Sequence, residues 1–214
     1  MIWVSIVLCS MVTKDVNPPA DVTAKDHPPF FIYLGLFFLL ICINTLLAKF
    51  AVFSFTVAPG ISSFYIVVAL MVVFSLWFGM WGAIAAYAGC FIGAGLLSGI
   101  PAGVNVIWSL ADFWQVLIPL LAFRYLSVDP ALTSRRDLVI VLLFGVFLNN
   151  LCGALWGTLT LALTGVIPWN GIGFALYSWW LGNIIVSLVL LPLILYIFTP
   201  IVRTHELFVK AYWN

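Results

Sequence analysis

Charge is what this sequence most lacks. Lys, Arg, Asp and Glu make up only 7% of its 214 residues, while 65% are hydrophobic, and the mean hydropathy is +1.23. No soluble core could hide that much apolar surface, so the chain reads as an integral membrane protein. The formal net charge is +1, with no basic run and no interleaving of aromatic and basic residues, which excludes nucleic acid as a partner. Cysteine is also sparse. Cys9, Cys42, Cys90 and Cys152 match neither a metal-site spacing nor a disulfide framework, and the last three read as small apolar packing residues. Both histidines, His27 and His205, lie outside the long apolar runs, and those runs contain no Gly-x-Ser-x-Gly, no His-Glu-x-x-His and no phosphate-binding glycine loop. Catalysis has no visible machinery, so we expect no enzyme activity, no metal and no cofactor. Repeated rings of charge and a filter-like loop are missing too, which argues against an ion channel.

What is present is length. A hydrocarbon core of about 30 Å needs roughly 20 apolar residues per helix, and six stretches meet that: 30–50, 61–79, 81–99, 104–124, 137–163 and 172–199. The expected fold is all-α, a polytopic six-helix membrane bundle. If the chain crosses six times, one side collects Lys14, Lys25, Arg124, Arg135, Arg136, Arg203 and Lys210, and the other holds only Lys49. Such asymmetry predicts both termini in the cytoplasm of a plasma-membrane protein. The expected organisation is a mobile, Pro-rich lead-in over 1–29, a membrane domain over 30–200 and a short cytoplasmic tail over 201–214. Residues 1–12 are too short to span and lack the features of a signal peptide. Either they lie along the membrane surface or translation begins further along.

Small residues recur every four positions on two of these helices. Ala85, Gly89 and Gly93 form one ridge, and Gly145, Asn149, Gly153 and Gly157 another, each able to take a neighbouring backbone closely. They are expected to pack the bundle or to meet a partner membrane subunit.

One ionisable side chain stands well inside an apolar run. A carboxylate at membrane depth is costly without a partner, so Asp112 is a functional-site candidate by default. Trp108 and Gln115 share its helical stripe. With a rise of about 1.5 Å per residue, Asn44, Asp112 and Asn183 fall at roughly the same depth, Asn149 lies deeper, and Trp179 sits one turn outward of Asn183. The expectation is an outward-opening, aromatic-walled pocket that binds a small molecule. The plainer alternative is that each amide and the carboxyl simply hydrogen-bond between helices.

Ala58-Pro59-Gly60 leading into Phe64-Tyr65, a hairpin into Trp81-Gly82-Ala83, Asn105 opening a helix that ends Phe123-Arg124, and Trp179-Trp180-Leu181-Gly182-Asn183 followed by Leu191-Pro192-Leu193 come in a telling order. Over residues 56–200 this resembles the membrane-associated sensor domain at the N-terminus of bacterial and archaeal histidine kinases and diguanylate cyclases. The resemblance implies a non-catalytic domain that senses a small molecule or a membrane-derived signal and works with a kinase or cyclase. Members of that family continue into a cytoplasmic output domain, whereas 14 residues follow Pro200 here. The all-membrane plan is also similar to the substrate-binding S component of energy-coupling-factor vitamin transporters, which would make a transporter module the partner and a glycine ridge the coupling surface. A structural membrane subunit of a larger complex is the third reading.

Overall fold

The structure is a computed structural model and describes residues 30–50, 56–62 and 64–209. The lead-in over 1–29 and the end of the tail lie outside the described residues, and with them Lys14, Lys25 and Lys210. Among the described residues there are six helical segments: α1 (Phe30–Phe50), α2 (Val67–Phe78), α3 (Met80–Ser98), α4 (Ala102–Tyr125), α5 (Arg135–Leu163) and α6 (Trp169–Val202). All except α2 are long and apolar enough to cross a membrane.

The second expected span, 61–79, comes out differently. Its first part forms a short antiparallel hairpin with the residues before it, β1 (Thr56–Ala58) and β2 (Ile61–Ser62). Pro59-Gly60 makes the turn, with Gly60 at φ 75°, a left-handed conformation that glycine tolerates and that a Pro-Gly pair favours. Helix α2 therefore has 12 residues and covers about 18 Å. Nine of the 12 are buried, because α2 sits in the middle of the molecule against α3, α4 and α6. A helix apolar on every side can be a core helix as well as a span, and hydropathy does not separate the two.

Helix α1 is peripheral. Only Leu40, Asn44 and Ala48 are buried on it, spaced four residues apart, and they face α3. The ridge on α3 explains the fit: a Cβ at Gly89 would collide with Asn44, and one at Gly93 would come within 2.8 Å of Ala48 and of the Thr45 carbonyl. Near the opposite end of α1, Tyr33 stacks on Trp81 with ring centroids 5.9 Å apart.

Three helices are irregular where they pass the interior. Helix α3 loosens into a π-helical turn over Phe91–Gly95 and then tightens into a 3-10 turn over Leu96–Ser98. In α5 a π-helical stretch covers Val141–Leu148, and α4 is interrupted at Ser109 between Ala102–Trp108 and Leu110–Tyr125. Such departures are frequent at functional sites.

The two ends of the molecule differ. At one, the α2–α3 turn, the 126–134 loop and residues 203–209 are tied together. Val209 N–H donates to the Trp77 carbonyl at 2.8 Å, the Trp77 indole to the Thr199 hydroxyl at 3.0 Å, and Thr199 in turn to the Pro130 carbonyl at 3.2 Å. Arg203 forms an ion pair with Asp129. Burial pushes the Asp129 carboxyl up, but the Ala131 N–H, Arg203 and the Thr133 hydroxyl outweigh it and hold it below the usual carboxylate range. At the other end lie the hairpin and Lys49, whose ammonium donates to the Leu97 carbonyl at 2.8 Å.

Candidate functional site

Asp112 stands in the first turn of α4 after the interruption at Ser109. At that break the Val106 carbonyl accepts from the Tyr87 hydroxyl at 3.1 Å, and the Ile107 carbonyl from the Trp156 indole at 2.8 Å. Broken backbone at membrane depth needs such internal donors. One turn earlier, Asn105 donates to the Phe91 carbonyl at 2.7 Å, in the π-turn of α3, and accepts from the Ser109 hydroxyl at 2.8 Å. The two irregular helices are thus pinned to each other beside Asp112.

The carboxyl is 2% exposed. Tyr65 donates its hydroxyl to Oδ2 over a long 3.4 Å, and Cys90 lies in the wall of the same space. No Lys or Arg among the described residues pairs with it. Together with Tyr65, Cys90, Trp108, Trp179 and Asn183 it lines a chamber of about 10 Å³, room for one water-sized group. Trp108 and Trp179 pack with centroids 5.8 Å apart at 54°. Gly157 on α5 makes the room for them, because a Cβ there would run into the Trp179 ring. The Trp108 indole N–H and both ends of the Asn183 carboxamide are buried without a hydrogen-bond partner. Buried polar groups nearly always have one, so these atoms mark a position suited to a polar guest.

Outward of the chamber is a cleft of about 360 Å³, lined by Lys49, Pro59, Ser62, Leu97 and Ser98 among others. That volume is within the range of small-molecule sites. Gly60, Ile61, Ser62, Tyr65 and Ala94 line both spaces, so the hairpin and Tyr65 form the wall between them.

A second polar cluster lies deeper. Gln115 donates to Asn150 Oδ1 at 2.8 Å, and the Asn150 amide donates to the Val146 carbonyl at 2.7 Å and to the Ser187 hydroxyl at 3.2 Å. The Val146 carbonyl belongs to the π-helical stretch of α5. This cluster ties α4, α5 and α6 and is largely satisfied within itself.

The residues picked out by sequence accordingly separate. Asp112, Trp108, Trp179 and Asn183 meet around the chamber. Gln115 belongs to the second cluster, lying against Gly153. Asn44 is buried against Gly89, and Asn149 is buried on α5; both lack a hydrogen-bond partner and neither lines the chamber. Gly145 faces Leu191, and Ala85 is fully buried, so both ridges lie against helices of the same chain. Sequence reasoning missed Tyr65 and Cys90 as chamber residues. The available signal for Tyr65 was its place just after a Pro-Gly turn; for Cys90 it was a lone thiol on a helix of small residues. Compared with known protein families, curated proteins and solved structures, the chain matches none.

Proposed function

We propose that this chain is a multi-pass plasma-membrane domain, a six-helix bundle with both termini cytoplasmic, that binds a small molecule in the cleft and chamber around Asp112 and performs no chemistry of its own. A sensor-like role is the first reading. The observation that carries it is that Asn183, unlike the paired Asn150 and unlike the equally unpaired Asn44 and Asn149, stands at a chamber beside a buried carboxyl. Asn150 has partners at both ends, as an amide serving as interhelical glue should, whereas Asn183 has none and shares its chamber with a carboxyl that pairs with no cation among the described residues. An unsatisfied buried amide costs about 1–3 kcal/mol, which structure alone does not return and a ligand can.

The importer-subunit reading stands second. It needs a small-residue ridge for its coupling partner, and Gly89, Gly93, Gly153 and Gly157 are covered by the chain's own α1, α4 and α6. A purely structural subunit gives no account of the cleft.

The test is a thermal-shift screen of the detergent-solubilised full chain against a library of water-soluble metabolites, repeated with Asp112→Asn and Asp112→Leu. At least one compound should stabilise the wild type saturably, less so the Asn variant and not the Leu variant. If no compound does so and Asp112→Leu lowers the unliganded Tm, the polar groups are glue and the proposal is wrong.

A further inference from the structure

Building on the small-molecule reading above, we infer that the ligand is a small amino-carboxylate zwitterion, with its primary ammonium in the Asp112 chamber and its carboxylate at Lys49 in the cleft. Three observations converge on the ammonium. Beside Trp108 and Trp179 the chamber presents two acceptors, the Asp112 carboxyl and the Asn183 Oδ1, which suit a group with hydrogen atoms to donate, along with the unpaired Trp108 and Asn183 N–H donors. Its volume of about 10 Å³ admits a group the size of water. A primary ammonium has that size; a trimethylammonium does not. Finally, Asp112 is buried with no cationic partner among the described residues, so an arriving ammonium would meet a desolvated carboxyl group, where the pairing is least screened.

The other end follows from Lys49. It is the cation lining the cleft, and one of its three N–H donors goes to the Leu97 carbonyl, leaving two for a ligand. A bare cation approaching through this cleft is repelled by it. A molecule that carries its own carboxylate is held. The shared wall of Gly60, Ile61, Ser62 and Tyr65 places the two subsites in adjoining spaces, so one short chain can bridge them.

The probes are glycine, β-alanine, 4-aminobutyrate and 6-aminohexanoate, which vary the distance between the charges, with butylamine, butyrate, 4-trimethylammoniobutyrate and sodium chloride for comparison. Binding to the full chain in detergent is read by thermal shift and by tryptophan fluorescence, since Trp108 and Trp179 flank the chamber. One member of the amino-carboxylate series should bind saturably, with butylamine and butyrate about tenfold or more weaker because each lacks one ion pair. The trimethylated analogue should not bind. Lys49→Gln should remove the preference for 4-aminobutyrate over butylamine, and Asp112→Leu should abolish all binding in a protein that still elutes as a single folded species.

Equal binding by butyrate, the trimethylated compound or sodium ion alone would overturn the ligand class. So would failure of every probe while a different metabolite from the screen binds in an Asp112-dependent way, a result that leaves the small-molecule reading standing. If neither the probes nor the screen gives Asp112-dependent binding, both proposals fall.

Discussion

Replacing Gly157 with alanine puts one methyl group into the wall of the chamber. That carbon would overlap the outer edge of the Trp179 ring and come within 3.3 Å of the Trp108 indole nitrogen. Neither ring has room to retreat. Trp108 is 1% exposed and abuts Gly60, and Trp179 is 5% exposed, so a displaced indole would intrude on the chamber of about 10 Å³ that both rings line. Overpacking a dense interior costs about 1–3 kcal/mol, and we expect Gly157→Ala to lose that much. Gly103→Ala is the control. Nothing lies within 4 Å of a Cβ at Gly103, so the change should stay within about 0.5 kcal/mol of wild type or stabilise slightly through helix propensity.

The mechanism is checked by Trp179→Leu. Alone it opens a cavity and destabilises; combined with Gly157→Ala it leaves space that the new methyl group fills. The pair should therefore be less damaging than the sum of its parts, with a coupling of about 0.5–3 kcal/mol. Thermal unfolding in detergent at one fixed scan rate ranks the variants, because unfolding of such proteins is commonly irreversible. Strict additivity, or a Gly157→Ala protein as stable as Gly103→Ala, would refute the claim that this glycine exists to seat Trp179.

Gly153→Leu should lower thermal stability by about 1–3 kcal/mol by displacing Gln115 from the Asn150 hydrogen bond, and loss of copurifying subunits with stability unchanged would show that the ridge meets a partner instead. The Asp129–Arg203 pair should contribute stability above the ordinary aspartate pKa of 3.8 and lose it as pH falls through the lowered folded value. Asp129→Asn should flatten that acid limb in a pH series of thermal midpoints, and an acid limb identical to wild type would assign it to other groups. Both termini should face the cytoplasm: a reporter that works only outside the cytoplasm, fused after Asn214, should be silent, and an active fusion would invert the topology.

Five of the six helices were legible because each of the runs holding α1 and α3 to α6 is long and apolar enough to admit no other assignment. The same measure placed the start of 61–79 too early. Val67–Phe78 is as apolar as a span and is enclosed by other helices, and the Pro59-Gly60 turn just before it was the local sign that the helix would begin later and be shorter. For the site, spacing succeeded where both residues stand on one helix. Trp108 with Asp112, and Trp179 with Asn183, are each four apart and end at the same chamber. Depth alone did less well, since it fixes one coordinate and leaves the facing direction open. Asn44 has the expected depth but turns to Gly89, and Gln115, three residues or about 4.5 Å below Asp112, lies beyond the reach of a cavity that holds one water-sized group. Tyr65 and Cys90 come to the Asp112 chamber from other elements, a meeting that only tertiary packing creates.

The stripe of α6 that faces the interior carries the remaining argument about mechanism. Trp179, Asn183, Ser187, Leu191, Leu195 and Thr199 follow one another at four-residue steps, and all are buried. The first half of that row is polar or aromatic and lines the chamber or the Gln115 cluster. Then it turns apolar: Leu191 and Leu195 are fully buried, as is Leu120 on α4, with Phe123 at 1%. From Ser187 to Thr199 is 12 residues, about 18 Å of helix. An ion or a string of waters would have to cross that distance past leucine and phenylalanine, losing its hydration with no polar group in this stripe to replace it. On the small-molecule reading the polar half would be a site entered from the cleft, and a guest bound there would act by shifting the helices that hold it. The hydrogen-bonded Gln115–Asn150–Ser187 cluster, one turn below the unpaired Asn183 and shared by α4, α5 and α6, is the element through which such a shift would reach the end where Thr199 holds the 126–134 loop.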